Sequence, residues 1–241
     1  MNISITQRPF DAIIFDHDGT LVDTESADQR ACQMLYHELG MPFNHDRWAS
    51  LVAGSIGGYT VLFTELIQEY GDGLTHDKLW QRLRELWQIT YAQVELAPGV
   101  TQLLPCLQSA GYPLAVASSS NRPWLERWLT HFDLRTYFQV IASSNDVTSV
   151  KPAPDVYLFA ADRLGVQPEH CLVFEDTLIG VQAAWSAGMT VVAVPSAITC
   201  RLDFCHAHAV IDSLANVTPA WLAELAKRQS FGCDKPAKNS Y

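Results

Sequence analysis

Six short apolar runs recur along the chain, and most of the segments between them have the period of a helix. The runs are FDAIIF (10–15), YPLAVA (112–117), FQVIA (138–142), CLVF (171–174), VVAV (191–194) and HAVI (208–211). They are rich in Val, Ile and Phe, bounded by turn residues and too short for stable helices, so each predicts a strand. PGVTQLLPCLQSAG precedes the second run, with Pro98 suited to a helix start and Gly111 to its end. RPWLERWLTHFDL follows that run, APDVYLFAADRLG follows the third and closes at Gly165, and TLIGVQAAWSAG follows the fourth and closes at Gly188. Strands alternating with helices predict an α/β fold, a Rossmann-like parallel sheet covered by helices on both faces.

The stretch between the first and second runs is different. ADQRACQMLYHELG and THDKLWQRLRELWQITYAQV have helical period, and no convincing strand lies near them. An all-helical unit over 24–94 is expected, inserted into a core made of 1–23 and 95–241, with LVDT and VELAPG as its linkers. The 241 residues suffice for this. Trp48, Tyr59, Phe63, Tyr70, Trp80, Trp87 and Tyr91, in or bordering the helical unit, fall mostly at helical spacing and are expected to be core, as are Trp124, Trp128 and Trp185. The tail FGCDKPAKNSY is polar and expected to fray.

Charge narrows the partners. The formal net charge is -10, which repels nucleic acid and anionic membranes, so neither is expected; a bound phosphate would need a local cation or metal. No run reaches the roughly 18 apolar residues of a membrane span, and MNISITQRPFDAIIF lacks a signal-peptide pattern. Six scattered cysteines without a CxxC pair fit a cytoplasmic protein with free thiols. CRLDFCHAH (200–208) matches no common zinc spacing and reads as a loop leading into a strand.

Ligands of open parallel sheets bind beyond the carboxyl ends of the strands, and four polar clusters fall there. DHDGT follows the first run. Asp16 and Asp18, two apart, point the same way on an extended segment, and a sharp turn at Gly19 would let one act as nucleophile or metal ligand and the other as proton donor. A calcium loop is excluded, because its sixth position is Leu21 and its twelfth Ala27. SSSNR (118–122) follows the second run and suits either a phosphate cradle or a helix N-cap. VKPAPD (150–155) follows the third; Lys151 before Pro152 is either a phosphate-neutralising cation or a solvated surface lysine. FEDT (174–177) follows the fourth; its adjacent acids suit Mg²⁺ or the N-terminus of the next helix.

FDHDGTLVD, AVASSSN, VKPAPD and VFEDTLIGVQAAWSAGM, in this order, resemble the haloacid dehalogenase superfamily. The chain is most similar to the β-phosphoglucomutase-like phosphatases and mutases, which carry a helical cap after the first strand. The resemblance spans roughly 10 to 215 and implies a Mg²⁺-dependent phosphatase of small phosphomonoesters, sugar or sugar-alcohol phosphates, working as a monomer. A phosphosugar mutase and a catalytically idle phosphate-binding protein are the alternatives.

The resemblance implies roles for individual residues. Asp16 would be the nucleophile and Asp18 the general acid and base. Mg²⁺ would be held by Asp16, the backbone carbonyl of Asp18, and Asp176, with Glu175 assisting. Lys151, Ser118 and Ser119 would hold the phosphoryl group, with the backbone near His17 and with Asn121 beside them; Thr20 would order the loop. His17 occupies the family's variable middle position and is not expected to be a base. Asp28 stands where the mutases carry a histidine, and Gly57 and Gly58 stand where they carry an arginine, which disfavours a mutase. The loop around Gly54 and Gly57 is expected either to approach the substrate closely or to serve only as a turn.

Overall fold

The computed structural model describes residues 8–53, 57–71 and 73–230. Gly54 and the tail from 231 onward lie outside the described residues. The six apolar runs form six strands: β1 (Ala12–Phe15), β2 (Leu114–Ala117), β3 (Val140–Ala142), β4 (Cys171–Glu175), β5 (Thr190–Ala193) and β6 (Ala209–Val210). They make one parallel sheet in the order β3-β2-β1-β4-β5-β6. Ile14 of β1 lies beside Ala115 of β2 on one side and Val173 of β4 on the other. The chain builds outward from β1 to β3, returns, and builds the other way from β4. Its direction therefore reverses between β1 and β4, which opens a crevice at their carboxyl ends.

Both faces of the central strands are buried, which is why these runs are continuously apolar rather than alternating. Ile13 and Phe15 pack with Leu114, Val116, Leu172 and Phe174 beneath α5 (Val100–Ser109), α6 (Arg122–His131) and α9 (Pro219–Ser230). Ala12, Ile14, Ala115, Ala117 and Val173 face the other way, under α7 (Asp155–Leu164) and α8 (Leu178–Ser186). Pro98 does not open α5: Gly99 is the cap and the helix starts at Val100.

Between β1 and α5 lie α1 (Thr24–Glu38), α2 (His45–Val52), α3 (Gly58–Tyr70) and α4 (His76–Thr90). They share a separate apolar core in which Cys32, Leu35, Trp48, Phe63, Leu83 and Leu86 are buried. The segments that leave and re-enter the sheet domain run side by side. Asp23 N–H donates to the Glu95 carbonyl at 2.9 Å and Ala97 N–H to the Leu21 carbonyl at 3.0 Å. Residues 200–208 form turns on the way to the short β6. No helix among the described residues is long and apolar enough to cross a membrane.

Candidate active site

A cavity of about 480 Å³ lies over the carboxyl ends of β1 and β2, facing the helical insert. Asp16, Asp18, Ser118, Ser119, Asn121 and Lys151 all line it. Sequence places these residues up to 135 positions apart; the parallel sheet brings them together because each follows the end of a strand. Glu175 and Asp176, at the end of β4, are fully buried beside them. His17 is fully buried and Gly57 is exposed ahead of α3; neither is among the residues that line the cavity.

The loop after β1 is a tight reversal. Leu21 and Val22 N–H groups donate to the His17 carbonyl at 3.0 and 3.1 Å, and Gly19 N–H to the Val22 carbonyl at 2.8 Å. Gly19 has φ +84°, a conformation that costs a residue with a Cβ. A Cβ there would also stand 2.0 Å from Asp176 Oδ2, so glycine lets the two strand ends meet.

Lys151 is buried, not a solvated surface lysine, and donates to Asp16 Oδ1 and, at 2.7 Å, to Glu175 Oε1. Burial works against its charge, but the two carboxylates outweigh it and hold its pKa above the ordinary value. Glu175 is the hub of the site. Its Oε1 also accepts from the Tyr157 hydroxyl at 2.7 Å, and its Oε2 accepts from Asp176 N, Thr177 N and Thr177 Oγ1 at 3.0, 3.1 and 3.1 Å. Both oxygens are thus occupied by protein donors. Glu175 is built to orient Lys151 and the Asp176 backbone, which leaves it a poor direct metal ligand. Thr177, rather than either acid, caps α8.

Asp18 is held from three sides. Thr24 Oγ1 donates to its Oδ1 at 2.8 Å, Trp124 Nε1 to the same oxygen at 2.8 Å, and Ser120 Oγ to Oδ2 at 2.7 Å. Ser118 Oγ reaches Oδ2 at 3.4 Å and accepts from Ser120 N–H at 3.0 Å. Burial disfavours ionisation of Asp18, but the His17 ring, Trp124 and Ser120 outweigh it and lower its pKa. Asn121 is the N-cap of α6, accepting from Trp124 N–H at 3.0 Å, so Ser118 is left free of that duty. Trp124, Ser120 and Thr24 are site residues that sequence reasoning missed. Their one signal was position in the first turn after a strand end or hinge, and tryptophan at helical spacing read as core.

The donor set fits a hard divalent cation. Carboxylate oxygens of Asp16, Glu175 and Asp176 lie within 4.8 Å of one another, Glu175 adding charge rather than a free donor. Three buried carboxylates face one ammonium, and Asp176 Oδ2 is buried without a hydrogen-bond partner. Burial pushes the Asp16 carboxyl up to about 7, with Lys151 pulling it down and Glu175 and Asp18 adding to the rise. Burial, then Glu175 and Asp16, raise Asp176 as well. An oxygen-binding cation would relieve this surplus of negative charge.

The insert contributes the far wall. Tyr59, Trp87 and Tyr91 of the insert line the cavity, and Trp124 joins them from α6. The expectation that these four are simply core is corrected: each also faces the cavity. Asp28 lines it too and accepts from the Tyr91 hydroxyl. Burial pushes the Asp28 carboxyl up to about 7, opposed by the Tyr91 bond and assisted by the Asp18 charge. A Cβ on Gly58 would sit 1.9 Å from the Leu51 carbonyl oxygen. Gly58 therefore lets α3 approach α2, which is a packing requirement rather than a substrate contact.

This arrangement has known counterparts. Residues 13–194 match the family model of the haloacid dehalogenase-like hydrolases. Fructose-1-phosphate phosphatase YqaB of Escherichia coli is 33% identical over 184 residues, covering 76% of this chain and 95% of YqaB. A haloacid dehalogenase family hydrolase from Deinococcus radiodurans, solved with bound phosphate and sodium, superposes with a TM-score of 0.75 at 29% identity, covering 90% of this chain and 97% of that one. CbbY from Rhodobacter sphaeroides, a variant of which was solved with xylulose-(1,5)bisphosphate, superposes with a TM-score of 0.68 at 28% identity, covering 86% and 96%. The chain belongs to the haloacid dehalogenase-like hydrolases, in the branch of the β-phosphoglucomutases and CbbY. Within that family it is a phosphoric monoester hydrolase.

Proposed function

We propose that the chain hydrolyses small phosphomonoesters, sugar or sugar-alcohol phosphates, through a phosphoryl group carried on Asp16. The supporting observation is the pair at the cavity floor. Asp16 touches a buried lysine, and Asp18, two residues on, is held by Thr24, Ser120 and Trp124. In the first step an Asp16 oxygen attacks phosphorus as the bond from phosphorus to the leaving oxygen breaks. Asp18 gives its proton to that oxygen. In the second, Asp18 takes a proton from water, the water oxygen attacks phosphorus, and the bond to Asp16 breaks to release phosphate. The bonds around Asp18 favour its carboxylate, the form needed for the second step. An arriving phosphate dianion favours the protonated form needed for the first, because like charges disfavour each other's ionisation.

Lys151 and Ser118, with Ser119 beside it, are placed to bind the phosphoryl oxygens. Mg²⁺ suits the oxygen donors of Asp16, Asp176 and the Asp18 backbone, and when bound it supplies charge neutralisation between Asp16 and the phosphate. The helical insert over 24–94 acts as a cap on the core of 1–23 and 95–241. The test is phosphate release from a panel of sugar phosphates with Mg²⁺, with chelator, and with Asp16→Asn. Release lost in the variant and in chelator is expected; undiminished release by Asp16→Asn would overturn the assignment.

A further inference from the structure

The loop that follows β5 belongs to the sheet domain yet reaches the helical insert. Val194 N–H donates to the Glu175 carbonyl at 2.6 Å, which roots the loop at the end of β4. Phe204 is buried in the core beneath α7 and α8, and Leu202 packs against the same cluster. Between these anchors the chain is stiff. Ser196 N–H donates to Thr199 Oγ1 at 3.0 Å, the Ile198 and Thr199 N–H groups donate to Ser196 Oγ at 3.2 and 3.3 Å, and Cys200 N–H donates to the Ser196 carbonyl at 3.0 Å. Thr199 is fully buried. Hydroxyls that bond within their own turn fix its shape.

The tip of this stiff loop carries two side chains that leave the sheet domain. Ile198, half-buried, packs against the separate apolar core of the insert. Arg201 Nη1 donates to Asp46 Oδ1 of α2 at 3.0 Å. That ion pair is exposed, so it orients the contact more than it holds it, and the apolar surface of Ile198 supplies the hold. The position of the contact gives it leverage. The insert leaves and rejoins the sheet domain beyond β1, and Tyr91, close to the returning segment, meets Trp124 and Trp128 of α6, the helix after β2. β5 lies two strands from β1 on the side away from β2, about 10 Å across the sheet. The insert is thus tied down on both flanks of the catalytic aspartates. A tilt about the hinge that widens the mouth of the cavity must break the tie at β5.

We propose that residues 196–204 are a clasp that holds the insert over the cavity and sets how often the insert stands away from it. Release withdraws Ile198 from the insert core and parts Arg201 from Asp46, while the hydrogen bonds that pair Asp23 with Glu95 and Leu21 with Ala97 at the hinge persist. The clasp is a property of this loop and of α2, and it holds whichever ester the core takes.

The experiment measures the distance between insert and sheet domain by double electron–electron resonance. Spin labels are carried by Asp77→Cys at the start of α4 and Asp162→Cys on α7, both exposed. The background carries Cys106→Ser, Cys200→Ser, Cys205→Ser and Cys233→Ser, which leaves the buried Cys32 and Cys171 in place. One dominant distance is expected there. Arg201→Glu sets two acids against each other and should raise the population at longer distance roughly 2- to 5-fold. Ile198→Asp puts a carboxylate into the apolar contact and should raise it by about 10-fold or more. Asp46→Arg added to Arg201→Glu restores the pair with its charges exchanged and should return the background distribution, a rescue that a loop serving only the sheet domain would not receive from α2. Arg201 is 79% exposed, so its variants fold and decide the matter even where Ile198→Asp does not fold. An unchanged distribution in Arg201→Glu, or one that Asp46→Arg leaves unrestored, would overturn the clasp. The distances are read without substrate, so failure of the phosphatase reading would leave this result standing.

Discussion

Glu175→Gln isolates the feature on which the whole site leans. The side chain is fully buried and accepts from five protein donors, two on Oε1 and three on Oε2. Glutamine keeps the shape but turns one acceptor into a donor. If the amide nitrogen takes the Oε1 position, the Lys151 ammonium and Tyr157 hydroxyl face it. If it takes the Oε2 position, two backbone N–H groups and the Thr177 hydroxyl do. Each buried donor left unmatched costs about 1–3 kcal/mol, and removing one partner of a buried charge costs about 3–5 kcal/mol. The expected loss is therefore about 3–5 kcal/mol, since the remaining Asp16 partner softens the Lys151 contribution. For a chain of this size that is roughly a 6–20 °C fall in Tm. The assay is urea unfolding in chelator, read by far-UV circular dichroism. Tyr157→Phe, which removes one neutral donor of the five, should cost only about 1 kcal/mol. A Glu175→Gln variant within 1 kcal/mol of wild type would refute the view of Glu175 as the anchor of a buried charge network.

Three further outcomes are expected. Trp124→Phe removes one of the bonds that hold Asp18 ionised; kcat with acetyl phosphate should fall about 10-fold, and the acid limb of the pH–rate profile should move to higher pH. Asp28 has a folded pKa of about 7 against an ordinary 3.8, so the folded protein binds more protons than the unfolded between those values and stability falls as pH rises through that window. Asp28→Asn should therefore stabilise the protein at pH 8 and gain little at pH 4, by a difference on the order of 1–2 kcal/mol because the group faces an open cavity; unfolding curves at the two pH values check it. Mg²⁺ should raise the thermal midpoint, by about 2.7 kcal/mol of stabilisation at a hundred times Kd, chelator should reverse it, and Asp176→Asn should flatten the response in differential scanning calorimetry.

The sheet was legible in the residues because its signals are local. A strand buried on both faces reads as a short apolar run wherever it falls, and all six runs are strands in one parallel sheet. The four polar clusters were legible for the same reason: parallel strands end at one edge, so whatever follows each run arrives there. The sequence alone thus determined the α/β architecture and which segments meet. It could not decide what each side chain does on arrival. Glu175 and Asp176 are neighbours in an identical local pattern, yet one is saturated by five donors and the other keeps an unpartnered oxygen. Two of the five donors, Tyr157 on α7 and Lys151 ahead of it, are set by helix packing; the other three come from the turn at Asp176 and Thr177. Trp124 reads as a core residue until α6 turns its indole N–H onto Asp18, 106 positions away. Gly58 lies against the Leu51 backbone, a contact that its place in the sequence does not show. Tertiary structure decided these matters because hydrogen bonds and close contacts depend on distances of tenths of an ångström between segments the chain keeps far apart.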